Sequence, residues 1–131
     1  MAENKRKKVL CVEDNSVNML LVSRIVEAEG HELIKAADGD TAEHLLQTVT
    51  PDVILLDINL PGKSGLDLAR EFKADARLSQ VPLIATTAQV LVGDRERCLQ
   101  AGCDDYLPKP LDIRKLREVL RQHLNHNTKQ G

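Results

Sequence analysis

The chain has 131 residues, the size of one domain, and its 42% hydrophobic and 29% charged residues are ordinary for a globular protein. A net charge of −2 excludes the strongly basic surface with which proteins bind DNA, RNA or anionic lipid, so we expect no nucleic-acid partner. No apolar stretch reaches the roughly 20 residues that a membrane helix needs, and no signal peptide is recognisable, so we expect a cytoplasmic protein without membrane contact.

The apolar residues alternate between two periods along the chain. After a basic leader at residues 1–7, short apolar runs predict strands at residues 8–13, 32–36, 52–57, 81–86 and 104–107. Apolar residues at helical spacing predict helices at residues 17–28, 41–49, 65–74 and 92–101, and a last helix that begins after Asp112. A polar tail at residues 125–131 follows, so one domain is expected to span residues 8–124.

The first and last helices each have an apolar face that we expect to turn toward a sheet. In the first helix this face consists of Val17, Leu20, Leu21, Ile25 and Ala28, and Gly30 ends the helix. In the last helix the face consists of Ile113, Leu116, Val119, Leu120 and either His123 or Leu124.

Strands that alternate with helices predict a parallel β-sheet with helices on both faces. The connections between parallel strands are right-handed, which restricts the topology further. We therefore predict an α/β protein, a three-layer α/β/α sandwich whose five-stranded parallel sheet has the flavodoxin-like order 2-1-3-4-5. In this fold, ligands bind beyond the carboxyl ends of the strands, beside strands 1 and 3.

Polar side chains follow the strands that meet at this edge of the sheet. They are Glu13 and Asp14 after the first strand, Asp57 after the third, Thr86 and Thr87 after the fourth, and Lys109 after the fifth. Converging carboxylates repel one another unless a cation neutralises them, and Mg²⁺ prefers such oxygen ligands. Asp14, Asp57 and a backbone carbonyl just past Asp57 are the expected ligands, with Glu13 holding a coordinated water. The competing interpretation is that Glu13 and Asp14 only cap the first helix.

Three other motifs indicate different functions less strongly. Asp104 and Asp105 lie at the entry of the fifth strand, away from this edge, and are expected to be solvated turn residues. Residues 62–64, Gly-Lys-Ser, look like the end of a P-loop, but Asp57 stands where that motif needs a glycine. Asp57 and Asn59 also approach the Asp-x-Asp motif of the haloacid dehalogenase phosphatases. Since asparagine cannot transfer the proton, a small phosphatase is the less favoured alternative.

Together these motifs resemble the receiver domain of two-component response regulators, of the single-domain type found in chemotaxis regulators. The resemblance runs from Lys8 to about Leu124. It rests on residues 12–15 (VEDN), 56–62 (LDINLPG), 87–88 (TA), 102–106 (GCDDY) and 109–110 (KP), all in the expected order. What it implies is phosphorelay signal transduction, in which an aspartyl phosphate switches a protein-interaction surface.

The resemblance also implies which residues hold the phosphoryl group and the metal ion. Asp57 would be the phosphoryl acceptor. Glu13 and Asp14 would be the acids that bind Mg²⁺, or Mn²⁺ in its place, and Asn59 would lend its carbonyl to the metal together with Asp57.

Four further residues match the switch of such domains. Lys109 would pair with a phosphoryl oxygen, and Thr87 would be the switch hydroxyl. Side chains alternate along a strand, so only one of the two threonines can face the site. Tyr106 would swing inward when Thr87 is drawn to the phosphoryl group, and the peptide bond before Pro110 would be cis.

The partners of such a domain are proteins. The resemblance implies a sensor histidine kinase or a histidine phosphotransfer protein as phosphoryl donor. It implies a downstream protein that binds the face formed by the fourth helix, the fifth strand and the fifth helix. We expect a monomer or weak dimer, with no enzymatic activity beyond assisting its own phosphorylation and slow dephosphorylation. Two arrangements stay open, a stand-alone module and a receiver excised from a hybrid sensor histidine kinase.

Overall fold

A computed structural model describes residues 6–88 and 93–124. The strands are Lys8–Val12 (β1), Glu32–Ala36 (β2), Val53–Asp57 (β3), Leu83–Thr87 (β4) and Asp105–Pro108 (β5). The helices are Ser16–Ala28 (α1), Gly39–Leu46 (α2), Gly65–Ala74 (α3), Asp94–Gln100 (α4) and Ile113–Leu124 (α5). The strands pair in parallel in the order β2-β1-β3-β4-β5, which confirms the predicted architecture. The start of the predicted fourth helix at residue 92, residues 1–5 of the leader and the tail lie outside the described residues.

The sheet divides the core into two layers because side chains alternate along each strand. In β1, Leu10 and Val12 belong to the core under α2, α3 and α4, whereas Val9 and Cys11 belong to the core under α1 and α5. β3 and β4 are buried along their whole length. Their largely apolar sequences are typical of strands that are buried on both faces. Because both strands are packed on both sides, the positions of their carboxyl ends are fixed. Within the described ranges, none of the helices has both the length and the hydropathy that crossing a bilayer requires.

The buried face of α1 differs from the predicted one. Val17 is 72% exposed, Leu20 is 54% exposed, and Ala28 is exposed as well, so their predicted inward orientation is wrong. Ile25 is buried as predicted, and the core also takes Val22, Ser23 and Val26. Apolar residues lie on more than one side of this helix, so their period alone does not determine which side faces the sheet.

Helix α5 buries a stripe of residues spaced by four. The stripe consists of Leu116, Leu120 and Leu124, so Leu124 rather than His123 is the inward residue. Ile113 is 47% exposed, and the prediction that it faces inward is wrong. Residues 112–115 are all exposed, because the first turn of the helix extends beyond the core.

The two acids at the start of β5 are not simply solvated turn residues, contrary to the prediction. Asp104 forms an ion pair with Lys73 at 2.7 Å and accepts a hydrogen bond from the backbone N–H of Leu83 at 2.8 Å. Asp105 lies 3.2 Å from the ring nitrogen Nε2 of His123. Both acids therefore anchor the amino edge of the sheet, Asp104 to α3 and β4 and Asp105 to α5.

Candidate functional site

The carboxyl ends of four strands bring the predicted site residues together. Glu13 directly follows β1, Asp57 and Thr87 end β3 and β4, and Lys109 directly follows β5. Glu13, Asp57 and Thr87 are 4%, 2% and 0% exposed, so the sheet holds these polar groups almost out of water. One carboxylate oxygen each from Glu13, Asp14 and Asp57 lies within 4.8 Å of the other two.

The carboxylate of Asp57 is held on both of its oxygens. Oδ2 accepts a hydrogen bond from Lys109 Nζ at 3.1 Å, and Oδ1 accepts one from the backbone N–H of Asn59 at 2.8 Å. Lys109 Nζ also lies 2.8 Å from Glu13 Oε1. Burial by itself lowers the pKa of Lys109, but its hydrogen bonds to Glu13 and Asp57 outweigh this and raise the pKa. The lysine is therefore a permanent cation beside Asp57.

Glu13 and Asp14 occupy different environments. Glu13 is buried, with Oε1 beside Lys109 and Oε2 accepting the backbone N–H of Asn15 at 3.0 Å. Asp14 is exposed. The side chain that caps α1 is that of Asn15, which accepts the N–H groups of residues 17 and 18 at 2.9 Å each. The interpretation of these two acids as mere helix caps is therefore wrong.

Gly65 allows α3 to start close against the segment that follows Asp57. A Cβ atom at Gly65 would lie 2.3 Å from the Cα of Ile58 and 2.6 Å from the backbone oxygen of Asp57. Real Cβ atoms essentially never make such contacts. The glycine thus sets the path of the β3–α3 loop, which carries Asn59.

Thr87 faces this loop. Its hydroxyl donates to Asn59 Oδ1 at 3.0 Å, and the backbone N–H of Ala88 donates to the same oxygen at 3.1 Å. The sequence did not indicate either contact, because a backbone N–H has no signature in residue type and the direction of an amide side chain depends on the loop. The sequence offered only a polar residue, Asn59, two positions after Asp57.

Tyr106 lies on the same side of the sheet as Thr87. It is half-buried and packs against the core layer that contains Ala85, its partner in the β4–β5 register. Thr87 is two residues after Ala85, so the side chains of the two residues share one face. The backbone N–H of Lys109 donates to the backbone oxygen of Thr87 at 2.7 Å, and the Lys109–Pro110 peptide bond is cis.

The donor atoms at this edge suit a hard divalent cation. Three carboxylates face one ammonium group, so the cluster has an excess of negative charge that a bound cation would relieve. All of its ligand atoms are oxygens, the type that Mg²⁺ and Mn²⁺ prefer. Burial, followed by the charge of Glu13, raises the pKa of the neighbouring Cys11 thiol to about 12, so this thiol is protonated at neutral pH, which makes it a poor nucleophile.

Comparison with known proteins identifies similar chains. The family model described as "Response regulator receiver domain" matches residues 9–121. The polar-differentiation response regulator DivK of Brucella anthropi is 41% identical over 118 residues, which cover 90% of this chain and 96% of DivK.

Two of the similar solved structures contain a divalent cation. The receiver domain of sensor histidine kinase PA1611 from Pseudomonas aeruginosa, solved with a magnesium ion coordinated in its active-site cleft, is 37% identical. It has a TM-score of 0.83 and covers 92% of this chain and 99% of its own. The Mn²⁺-bound form of response regulator Rcp1 is 27% identical, with a TM-score of 0.80 and coverage of 88% and 92%.

Proposed function

The chain belongs to the response regulator receiver family, and from that membership we propose that its residues 8–124 receive a phosphoryl group on Asp57. The donor is a histidine kinase or a histidine phosphotransfer protein. The observation that carries the proposal is the buried Asp57 carboxylate, which Lys109 contacts at 3.1 Å and which lies within 4.8 Å of the carboxylates of Glu13 and Asp14.

The transfer begins with a carboxylate oxygen of Asp57 as nucleophile. That oxygen forms a bond to phosphorus as the bond from phosphorus to the donor's imidazole nitrogen breaks, and the imidazole leaves with the electron pair. The ammonium of Lys109 neutralises part of the charge on the transferred oxygens. Asp57 is held by Lys109 and the N–H of Asn59, so little reorganisation precedes the reaction.

The acids at this edge would hold a divalent cation. We assign Asp14, Asp57 and the backbone carbonyl of Asn59 as ligands of Mg²⁺, or of Mn²⁺ in its place. When bound, the cation would offset negative charge on the carboxylates and on the phosphoryl oxygens. Glu13 orients Lys109 and receives the N–H of Asn15, so we assign it mainly to positioning.

Phosphorylation changes charge at one point of the molecule. The product carries about −1.5 to −2 charge and three acceptor oxygens, and Thr87 and Lys109 are the donors assigned to it. A displaced Thr87 opens space for Tyr106, which shares its face of the sheet. The change would then reach α4, β5 and α5, the face that we assign to the downstream protein, where Leu99 is 45% exposed.

A separate surface near Asp57 is suited to the phosphoryl donor. Residues 14–17 and 112–115 are all exposed, and both segments start at the carboxyl edge of the sheet. Val17, Leu20 and Ile113 are large apolar side chains that are 72%, 54% and 47% exposed. We assign these first turns of α1 and α5 to donor docking. The domain is a recipient of phosphoryl groups rather than a turnover enzyme, because Asn59 stands where the phosphatases have a proton-transferring acid.

Phosphotransfer from a phosphorylated histidine phosphotransfer protein tests this function. With Mg²⁺ present, radiolabel should move to the chain until each molecule holds one phosphoryl group. Replacement of Val17 and Leu20 by serine should slow the transfer from this protein but not from acetyl phosphate, whereas Leu99→Ser should affect neither. If no label reaches the wild-type chain from any donor, the proposal is wrong.

A further inference from the structure

A single side-chain oxygen in the resting site holds two hydrogen-bond donors beside Asp57. Asn59 Oδ1 accepts the Thr87 hydroxyl at 3.0 Å and the Ala88 backbone N–H at 3.1 Å. The backbone N–H of Asn59 donates to Asp57 Oδ1 at 2.8 Å. Asn59 therefore connects the loop of the phosphoryl acceptor to the end of β4.

We propose that the side-chain oxygen of Asn59 is a resident substitute for a phosphoryl oxygen. It keeps the Thr87 hydroxyl and the Ala88 N–H in their resting positions until a phosphoryl group on Asp57 displaces it. This inference rests on the proposed function, because it requires Asp57 to be the acceptor.

The difference in exposure between Thr87 and Asn59 explains why this hydrogen bond forms. Thr87 is 0% exposed, and a buried hydroxyl that loses a hydrogen bond is destabilising. Asn59 is exposed, so its amide can turn to water at little cost when a better acceptor arrives. The resting contact thus satisfies a buried group with a side chain that is easily released.

The strength of the two acceptors determines the direction of the exchange. The amide oxygen is neutral, whereas a phosphoryl oxygen is charged, and hydrogen bonds to charged acceptors are roughly twice as strong. Thr87 and Ala88 each have one proton to donate, so they cannot serve both acceptors fully. Asn59 therefore competes with the phosphoryl group, and this competition stabilises the resting state.

Calorimetric titration with beryllofluoride, a stable mimic of the phosphoryl group, measures this competition. The protein is first saturated with Mg²⁺. Asn59→Leu removes the acceptor at nearly constant side-chain size and should bind beryllofluoride roughly tenfold more tightly than wild type. Asn59→Ala should show the same direction of change. Asn18→Leu, the same substitution on α1, should bind like wild type.

A double-mutant cycle with Thr87→Val tests whether Asn59 acts through its donors. In that background Asn59→Leu should tighten binding only a few-fold, because the Ala88 N–H alone remains to be released. Mg²⁺ is saturating in every titration, so the comparison reports the affinity for beryllofluoride and not the affinity for the metal. A general loosening of the fold would not produce this pattern.

The outcomes separate the two proposals. If the wild type binds no beryllofluoride in the presence of Mg²⁺, the proposed function itself fails. If the wild type binds it and both variants at position 59 bind with equal or lower affinity, the substitute role of Asn59 is overturned while Asp57 remains the acceptor. If Asn59→Leu increases the affinity for beryllofluoride as much in the Thr87→Val background as in the wild type, the substitute role of Asn59 is also overturned.

Discussion

The two edges of the sheet use their acids in opposite ways. At the amino edge three aspartates each have a partner of their own. Asp52 accepts the backbone N–H of Lys8 at 2.8 Å, Asp104 pairs with Lys73 at 2.7 Å, and Asp105 lies 3.2 Å from His123. These acids are matched one by one, and they connect neighbouring segments of the chain.

At the carboxyl edge the acids outnumber their partners. Three carboxylates converge within 4.8 Å, and Lys109 contacts only two of them, Glu13 and Asp57. Matched acids stabilise the fold, whereas an excess of converging charge opposes folding and attracts a cation. The presence of an acid at a strand end therefore does not identify a functional site. Converging carboxylates that outnumber their cationic partners indicate a binding site, whereas an acid with its own partner has a structural role.

The largest expected effect is a complete loss of switching at the carboxyl edge. Thr87→Val removes the hydroxyl and should leave labelling of Asp57 intact while abolishing the change in Tyr106 fluorescence. Tyr106 is the only tyrosine and the chain has no tryptophan, so the signal is specific. Thr86→Val is the matched control and should respond normally, since alternation along β4 directs it to the other face. A normal response in Thr87→Val would contradict the switch.

A divalent cation should stabilise the whole protein, and it should do so by binding at the carboxyl edge of the sheet only. Mg²⁺ at one hundred times its dissociation constant should add about 2.7 kcal/mol to the free energy of unfolding. Asp14→Ala should remove most of this gain, and Asp52→Ala, at the amino edge, should retain it. Urea unfolding with and without Mg²⁺ measures both. Equal stabilisation of the two variants would show that the cation binds elsewhere.

Loss of an acid should have opposite effects on stability at the two edges. Asp104→Ala breaks the ion pair with Lys73 and leaves the N–H of Leu83 without this acceptor, so it should cost about 1–3 kcal/mol. Asp14→Ala relieves repulsion and should leave the metal-free fold unchanged or slightly more stable. Urea unfolding in chelator compares them, and similar losses in both variants would contradict the distinction between the edges.

The smallest effect concerns pH near the amino edge. Nδ1 of His31 accepts the backbone N–H of Lys7 at 3.0 Å, and burial lowers the pKa of this histidine. The unfolded chain then binds the proton more readily, so stability should fall as pH drops below about 6.5. Denaturation at several pH values should show a smaller slope for His31→Gln, whereas the exposed His44→Gln should behave like wild type. Identical slopes in all three proteins would exclude this contribution.

The sequence allowed the architecture to be predicted because buried parallel strands and amphipathic helices have different periods. It did not determine which side of α1 is buried, since Val17 and Leu20 fit a helical face as well as Val22 and Ile25 do. The predicted convergence of Glu13, Asp14 and Asp57 at one edge of the sheet agrees with the structure, because strand ends can be located from sequence. The partners of Asp104 and the contact between Asn59 and Thr87 depend on side-chain directions and backbone groups, which residue types do not specify.

Mass spectrometry of the intact protein after incubation with acetyl phosphate tests the central claim most directly. With Mg²⁺, the wild type should gain the mass of one phosphoryl group. The gain should disappear when the cation is chelated and in Asp57→Asn, which should remain folded by circular dichroism. Persistent labelling of folded Asp57→Asn at the wild-type level would contradict the assignment of Asp57 as the acceptor.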